Sequence, residues 1–162
     1  PFAVFGLPCL LAALNVFLYA CLNRDPKRAN MSGALKTVSQ WSLPVLSVLC
    51  YGLTLTAALG YPSRIEIVVP LLTGILLLVI GNYLPKTKQS YTMGIKLPWT
   101  LQSEENWNRT HRLSGFLWVL CGLVMIPLSL LRLWSGWLFG ALLAVMVLIP
   151  AVYSYALHRK GI

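Results

Sequence analysis

The side chains best equipped for chemistry are few. A metal site takes three or four ligands, and the chain offers two histidines, His111 and His158, at opposite ends of separate apolar blocks. No metal and no cofactor is expected on that count. Glu104 and Glu105 are adjacent, so on a helix they diverge by about 100° and do not face one substrate as an acid and base pair. They read as a solvated first turn that meets the positive end of a helix dipole. The cysteines Cys9, Cys21, Cys50 and Cys121 lie inside or at the ends of apolar blocks without a C-x-x-C pair, which suits reduced, small hydrophobic side chains. The chain has no G-x-S-x-G, no glycine-rich phosphate loop and no H-E-x-x-H. A non-enzymatic protein is the expectation.

One constellation remains. Trp107, His111, Ser114 and Trp118 recur at spacings of four, three and four, so on a helix they share a face and two aromatic rings flank the imidazole. Such a histidine can act as a switch or bind a ligand. The preferred reading is plainer: an interfacial histidine that holds the neighbouring loop in place.

The elements that position these residues follow from composition. Of 162 residues 57% are apolar and 10% are charged, with a mean hydropathy of +0.72, against about 25% charged in a soluble domain. An ordinary soluble domain and a disordered tail are both excluded. The apolar residues fall into long blocks at about 2–22, 41–59, 67–84, 113–131 and 134–157, each close to the roughly 20 residues that cross a bilayer as a helix. The expected fold is all-α, a single polytopic transmembrane bundle with five spans in this chain. Pro8, Pro44, Pro70, Pro127 and Pro150 are candidate kinks, tolerated where neighbours satisfy the freed carbonyls. Asn15 and Asn82 are expected to hydrogen-bond between helices. Glu66 stands at a span end, where water reaches it. Gly136, Gly140 and Ala144 form a small-xxx-small face, expected to pack within the bundle.

Loops 23–40 and 85–112 and the tail hold eleven of the thirteen basic residues, and the alternate face holds Arg64 and Arg132. The positive-inside rule then puts those loops and the C-terminus in the cytoplasm and the start of the chain outside. A net charge of +9 records that topology and an anionic leaflet rather than nucleic-acid binding. Asp25-Pro26 is expected to open a helix that runs into the second span, with Gly33 a weak point. Residues 85–99 read as ordered but irregular chain, with Tyr91 and Trp99 suited to the interface. Ser103 is the expected N-cap of a helix continuous with the fourth span.

Within residues 81–115 an ordered set of elements stands out. Gly81-Asn82 is followed by Pro85, then Gly94-Ile95, Pro98-Trp99-Thr100-Leu101, Ser103-Glu104, Trp107, Thr110-His111 and Gly115, with Asp25-Pro26-Lys27-Arg28 upstream. This set resembles the signature of the SdpI family, bacterial membrane proteins of immunity to a secreted toxin peptide. Lys96 and Leu97 depart from the Arg and Thr more usual there. The resemblance covers about a fifth of the chain in detail, and it implies one further N-terminal span before Phe2, six in all, with both ends inside.

It also implies a plasma-membrane protein that protects the cell from a toxin peptide and, in some members, holds a transcriptional repressor at the membrane. A small transporter or exporter conferring resistance is the alternative. The toxin arrives from outside, so the outer face is expected to meet it. The basic loop 85–112 is then left to lock the bundle or to dock a repressor or anionic lipid, with no direct nucleic-acid contact.

Overall fold

The computed structural model describes residues 6–26, 33–61 and 64–162. Among them the chain is helical, with no strand: α1 (Leu7–Arg24), α2 (Gly33–Ala58), α3 (Ile65–Tyr83), the short α4 (Pro98–Gln102), α5 (Glu104–Leu130) and α6 (Gly136–Arg159). Four helices are long and apolar enough to cross a membrane: α2, α3, α5 and α6. The fifth, α1, is apolar but shorter at 18 residues, and residues 2–5 of its expected span lie outside the described residues.

The helix limits differ from the apolar blocks because polar residues extend helices past the hydrocarbon. Among the described residues α2 runs from Gly33, so much of the expected loop is helical. α5 begins at Glu104, with the Ser103 hydroxyl accepting the Asn106 N–H as N-cap. Its 27 residues give about 40 Å of helix, against a hydrocarbon core of about 30 Å. Its first turns, with Glu104, Glu105, Arg109 and Arg112, therefore stand clear of the lipid. The helix expected after Asp25-Pro26, with Lys27 and Arg28, lies outside the described residues. Asp25 itself closes α1 in extended backbone.

α3 and α5 share the largest interface in the chain, and glycine sets its closeness. Gly74 and Gly81 on α3 meet Gly122 and Gly115 on α5, so the helices run antiparallel with contacts one heptad apart. A Cβ on Gly122 would sit 2.6 Å from the Gly74 carbonyl, and one on Gly115 2.7 Å from the Gly81 carbonyl. Without a hydrophobic drive between helices in lipid, such backbone contact is a main source of association. Leu77, Cys121 and Met125 fill the seam between the glycine pairs, with Trp118 of α5 and Leu142 and Met146 of α6 packed against them. The seven-residue glycine spacing was open to view in the sequence, where only Gly81 and Gly115 stood out.

Two expectations about small and polar residues are corrected. Around Gly136 and Gly140 nothing among the described residues lies within 4 Å of an added Cβ, so these two positions of the small face of α6 do not pack on them. Both glycines are exposed. Asn82 is exposed on α3 and makes no interhelical bond among the described residues, since the close approach beside it is made by Gly81.

Asn15, in contrast, donates from Nδ2 to the Gln40 carbonyl at 2.9 Å. Gln40 is four residues before Pro44, which lies inside α2, and proline leaves that carbonyl without its helical donor. The amide of α1 supplies one. Pro70, Pro127 and Pro150 also sit inside helices, and Ser129 Oγ donates to the Ile67 carbonyl one turn before Pro70. Pro8 occupies the first turn of α1, where its missing N–H is spare and no kink arises.

Candidate functional site

Among the described residues, the segment between α3 and α5 and the first turns of α5 together carry most of the buried polar side chains. The segment leaves α3 through a 3-10 turn, Leu84–Lys86, in which Pro85 packs on α5: a Cβ on Gly115 would meet the Pro85 ring at 2.6 Å. From there the backbone is irregular to Leu97, as the run of Pro, Gly, Ser and Thr predicts. Buried irregular backbone needs partners for its N–H and C=O groups, and side chains of α5, of Asp25 and of the segment itself provide several of them.

His111 is the centre of this packing. It is fully buried, and its Nε2 accepts the Ile95 N–H at 2.9 Å while Nδ1 faces the Trp107 carbonyl at 2.8 Å. An acceptor Nε2 assigns the proton to Nδ1, so the imidazole is neutral and donates to Trp107. The Trp107 ring stacks on it at 3.9 Å and donates from Nε1 to the Thr87 carbonyl at 2.8 Å. Trp107 and His111 thus hold two points of the loop. Trp118, expected as the second flanking ring, is not in ring contact with His111, because it sits two turns deeper on α5.

Gly94 crosses directly over these rings. Its φ is +102°, a conformation that favours glycine, and a Cβ there would run into His111 Nε2 and lie 2.8 Å from the Trp107 ring. Both constraints demand glycine. Ile95 follows and makes the bond to His111.

Pro98, Trp99, Thr100 and Leu101 form α4. Pro98 takes the first position, and the buried Thr100 Oγ1 accepts the Leu97 N–H at 2.9 Å while lying 2.9 Å from the Ile95 and Leu97 carbonyls. That threonine does the N-terminal capping that Leu97 cannot do. Gln89 Nε2 donates to the Thr100 and Leu101 carbonyls at 3.0 and 2.7 Å, which finishes the other end. Trp99 reaches α6, edge-on to Tyr155 at 5.4 Å and stacked on His158 at 6.0 Å. His111 and His158 therefore serve separate contacts, and no group of three or more His, Cys, Asp and Glu gathers among the described residues.

A second polar knot joins α5 to α6. Asn106, fully buried, donates from Nδ2 to the Ser154 and Ile162 carbonyls at 3.0 and 3.2 Å. Its Oδ1 accepts from Thr110 Oγ1 at 3.1 Å and Ser154 Oγ at 2.6 Å. All four capacities of the amide are filled. Thr110 thereby acts through Asn106, and Ser114 donates to the Thr110 carbonyl at 2.7 Å. Glu104 is exposed at the helix start, and Glu105 pairs with Arg109 on the surface; neither enters the packed interior.

Several contacts of this site had no marker in the sequence. Asp25, nearly buried, accepts on Oδ2 from Ser90 Oγ and from the Thr92 N–H, each at 2.8 Å, and Thr92 Oγ1 donates to the Cys21 carbonyl at 3.3 Å. This ties the end of α1 to the loop that follows α3. Thr87, Gln89, Ser90, Asn106 and Ser154 are joined to partners 11 to 65 residues away in sequence, which no local spacing signals.

The result is a hydrogen-bonded plug over one end of the bundle, with Lys86, Lys88, Lys96 and Arg112 exposed around it. Nothing in it lines up a nucleophile with a base. The description SdpI/YfhL protein family attaches to a match over residues 86–154, which takes in most of the plug and continues into α6. Over 154 residues the chain is 25% identical to "Immunity protein SdpI" of Bacillus subtilis (strain 168), covering 95% of this chain and 72% of that protein. No solved structure matches.

Proposed function

We propose that the chain is a member of the SdpI/YfhL protein family, which it matches over residues 86–154, and that it is a multi-pass membrane immunity protein. It protects the bacterium that makes it from a secreted toxin peptide. The observation that carries this reading is the 25% identity to Immunity protein SdpI, spread over 95% of the chain rather than confined to one motif.

The division of labour follows from charge and packing. The plug, with its rim of lysine and arginine, faces the cytoplasm by the positive-inside rule. A peptide that arrives from outside meets the opposite end: the hairpins at 59–64 and 131–135 and the outer halves of the spans. The signature residues from Asn82 to Gly115 then act at a distance from the toxin. They fix the loop against α5 and leave a basic cytoplasmic surface on which a repressor can dock. Neither role is catalytic.

The test is survival. Toxin-sensitive bacteria that make the protein are expected to grow under a peptide dose that kills the parent strain. Equal killing at confirmed membrane levels would overturn the immunity reading, and proton-gradient-dependent accumulation of labelled peptide in vesicles would replace it with transport.

A further inference from the structure

Arg64 and Arg132 lie at the end of the bundle away from the plug, just before α3 and just after α5. The antiparallel α3 and α5 put both at one seam. Near that end Ser129 Oγ donates to the Ile67 carbonyl. Arg64 is three residues beyond Ile67 and Arg132 three beyond Ser129, each about one turn further out. Both arginines are exposed, and neither is in an ion pair among the described residues.

Each arginine occupies a position that its own type does not favour. Arg132 has a φ of +57°. Its N–H and that of Leu133 donate back to the Ser129 and Leu128 carbonyls at 3.1 and 2.9 Å, the helix ending in which glycine is usual at this place. Arg64 stands at the N-cap of α3 without a side-chain bond to the helix, where Ser, Thr, Asp or Asn is favoured and the helix dipole repels a cation. Glu66, in the first turn, is the charge that suits that helix end; it is exposed and pairs with neither arginine. Local structure thus accounts for neither cation, and coinciding local misfits are expected where a site is kept for function. The surface beside them is apolar: Tyr61, Leu131 and Leu133 are exposed, and Trp137 is 90% exposed.

We propose that Arg64 and Arg132 anchor carboxylates of the toxin peptide, while the apolar surface beside them takes its hydrophobic side chains. The assignment rests on the immunity reading and on the outward placement of this end. A guanidinium holds a carboxylate through two parallel N–H donors. Lipid phosphates ring the whole bundle, whereas these two cations meet at one seam, which suits a single peptide.

The toxin peptide is purified from the medium of the bacterium that makes it, labelled, and titrated onto the protein in lipid nanodiscs. It is used both as it is and with its carboxylates converted to amides. Arg64→Gln and Arg132→Gln are each expected to weaken binding of the native peptide roughly fivefold, the upper effect of an exposed ion pair. The double variant is expected to lose the salt dependence of binding and to bind native and amidated peptide alike. Arg159→Gln, at the opposite end, leaves binding unchanged. Arg132→Gly separates the site from the fold: it is expected to raise the unfolding temperature by about 2 to 4 °C by relieving the left-handed position, yet to weaken binding. Unchanged binding in the double variant overturns the proposal while leaving immunity standing. An equal loss for native and amidated peptide also overturns it and gives the arginines to lipid phosphate. A lower unfolding temperature in Arg132→Gly does so too, since that arginine would then serve the fold. Wild-type protein that binds neither peptide brings down the immunity reading itself, and the anchor with it.

Discussion

Gly94 passes over His111 so closely that a single methyl group on it would occupy the space of the imidazole Nε2. The same nitrogen accepts the N–H of the next residue, Ile95, at 2.9 Å. Glycine and histidine therefore form one unit: the first lets the backbone descend onto the ring, and the second satisfies it there. Gly94→Ala is expected to cost about 2 to 4 kcal/mol, from left-handed strain plus overpacking, read as a lower unfolding temperature in detergent. His111→Ala leaves the Ile95 N–H unsatisfied and is expected to cost about 1 to 3 kcal/mol. In nitrogen NMR the His111 ring is expected to show protonated Nδ1 and bare Nε2 near neutral pH. An imidazolium signal would contradict the assigned bond.

Asn15 and Pro44 give a prediction whose sign depends on context. Asn15→Ala removes the donor to the Gln40 carbonyl and is expected to cost about 0.6 to 1.7 kcal/mol, the range of such bonds in membranes. Pro44→Ala restores a helical N–H to that carbonyl. In the Pro44→Ala background the cost of Asn15→Ala is therefore expected to shrink toward zero. A double-mutant cycle that returns purely additive values would show that the amide is not replacing the helical donor.

Glycines of one composition class divide sharply by environment. Gly115→Ala drives a methyl into the Pro85 ring and the Gly81 carbonyl, at 2.6 and 2.7 Å, so α3 and α5 must separate. A loss of about 2 kcal/mol or more is expected. Gly52→Ala meets nothing within 4 Å inside α2 and is expected to stabilise by up to about 1 kcal/mol through helix propensity. Thermal unfolding of the two variants side by side checks this, and equal losses would dissolve the distinction.

Asp25→Ala is expected to release the loop from α1. It removes the acceptor of the Ser90 hydroxyl and the Thr92 N–H, bonds to a charged group worth about 1.5 to 3 kcal/mol each. Limited trypsin digestion reads the effect at Lys86, Lys88 and Lys96. Faster cleavage at those sites, with the helices intact by circular dichroism, is the expected pattern.

The helices were largely legible in the sequence because lipid imposes a coarse rule: long uncharged blocks, with charge at their ends. The Ser103 cap was legible too, since a hydroxyl before two glutamates satisfies and attracts a helix start locally. What could not be read were contacts set by three-dimensional closure. Asp-Pro marks Asp25 locally as a helix start, but nothing local signals that its Oδ2 accepts from Ser90 and Thr92, 65 and 67 residues away. Gly136 and Gly140 have the small spacing of a packed face and pack on nothing among the described residues. Gly74 and Gly122, seven residues from Gly81 and Gly115, do pack. Spacing names a face, and only the neighbour decides its use.

Toxin binding measured separately at the two ends of the molecule tests the proposed function most directly. Labelled toxin peptide is applied to the outer face of membranes that contain the wild-type protein, the His111→Ala variant or a Tyr61→Ala variant of the 59–64 hairpin. Saturable binding that His111→Ala retains and Tyr61→Ala weakens is the predicted result. Binding lost in folded His111→Ala and untouched in Tyr61→Ala would contradict the division of faces and move the toxin contact to the plug.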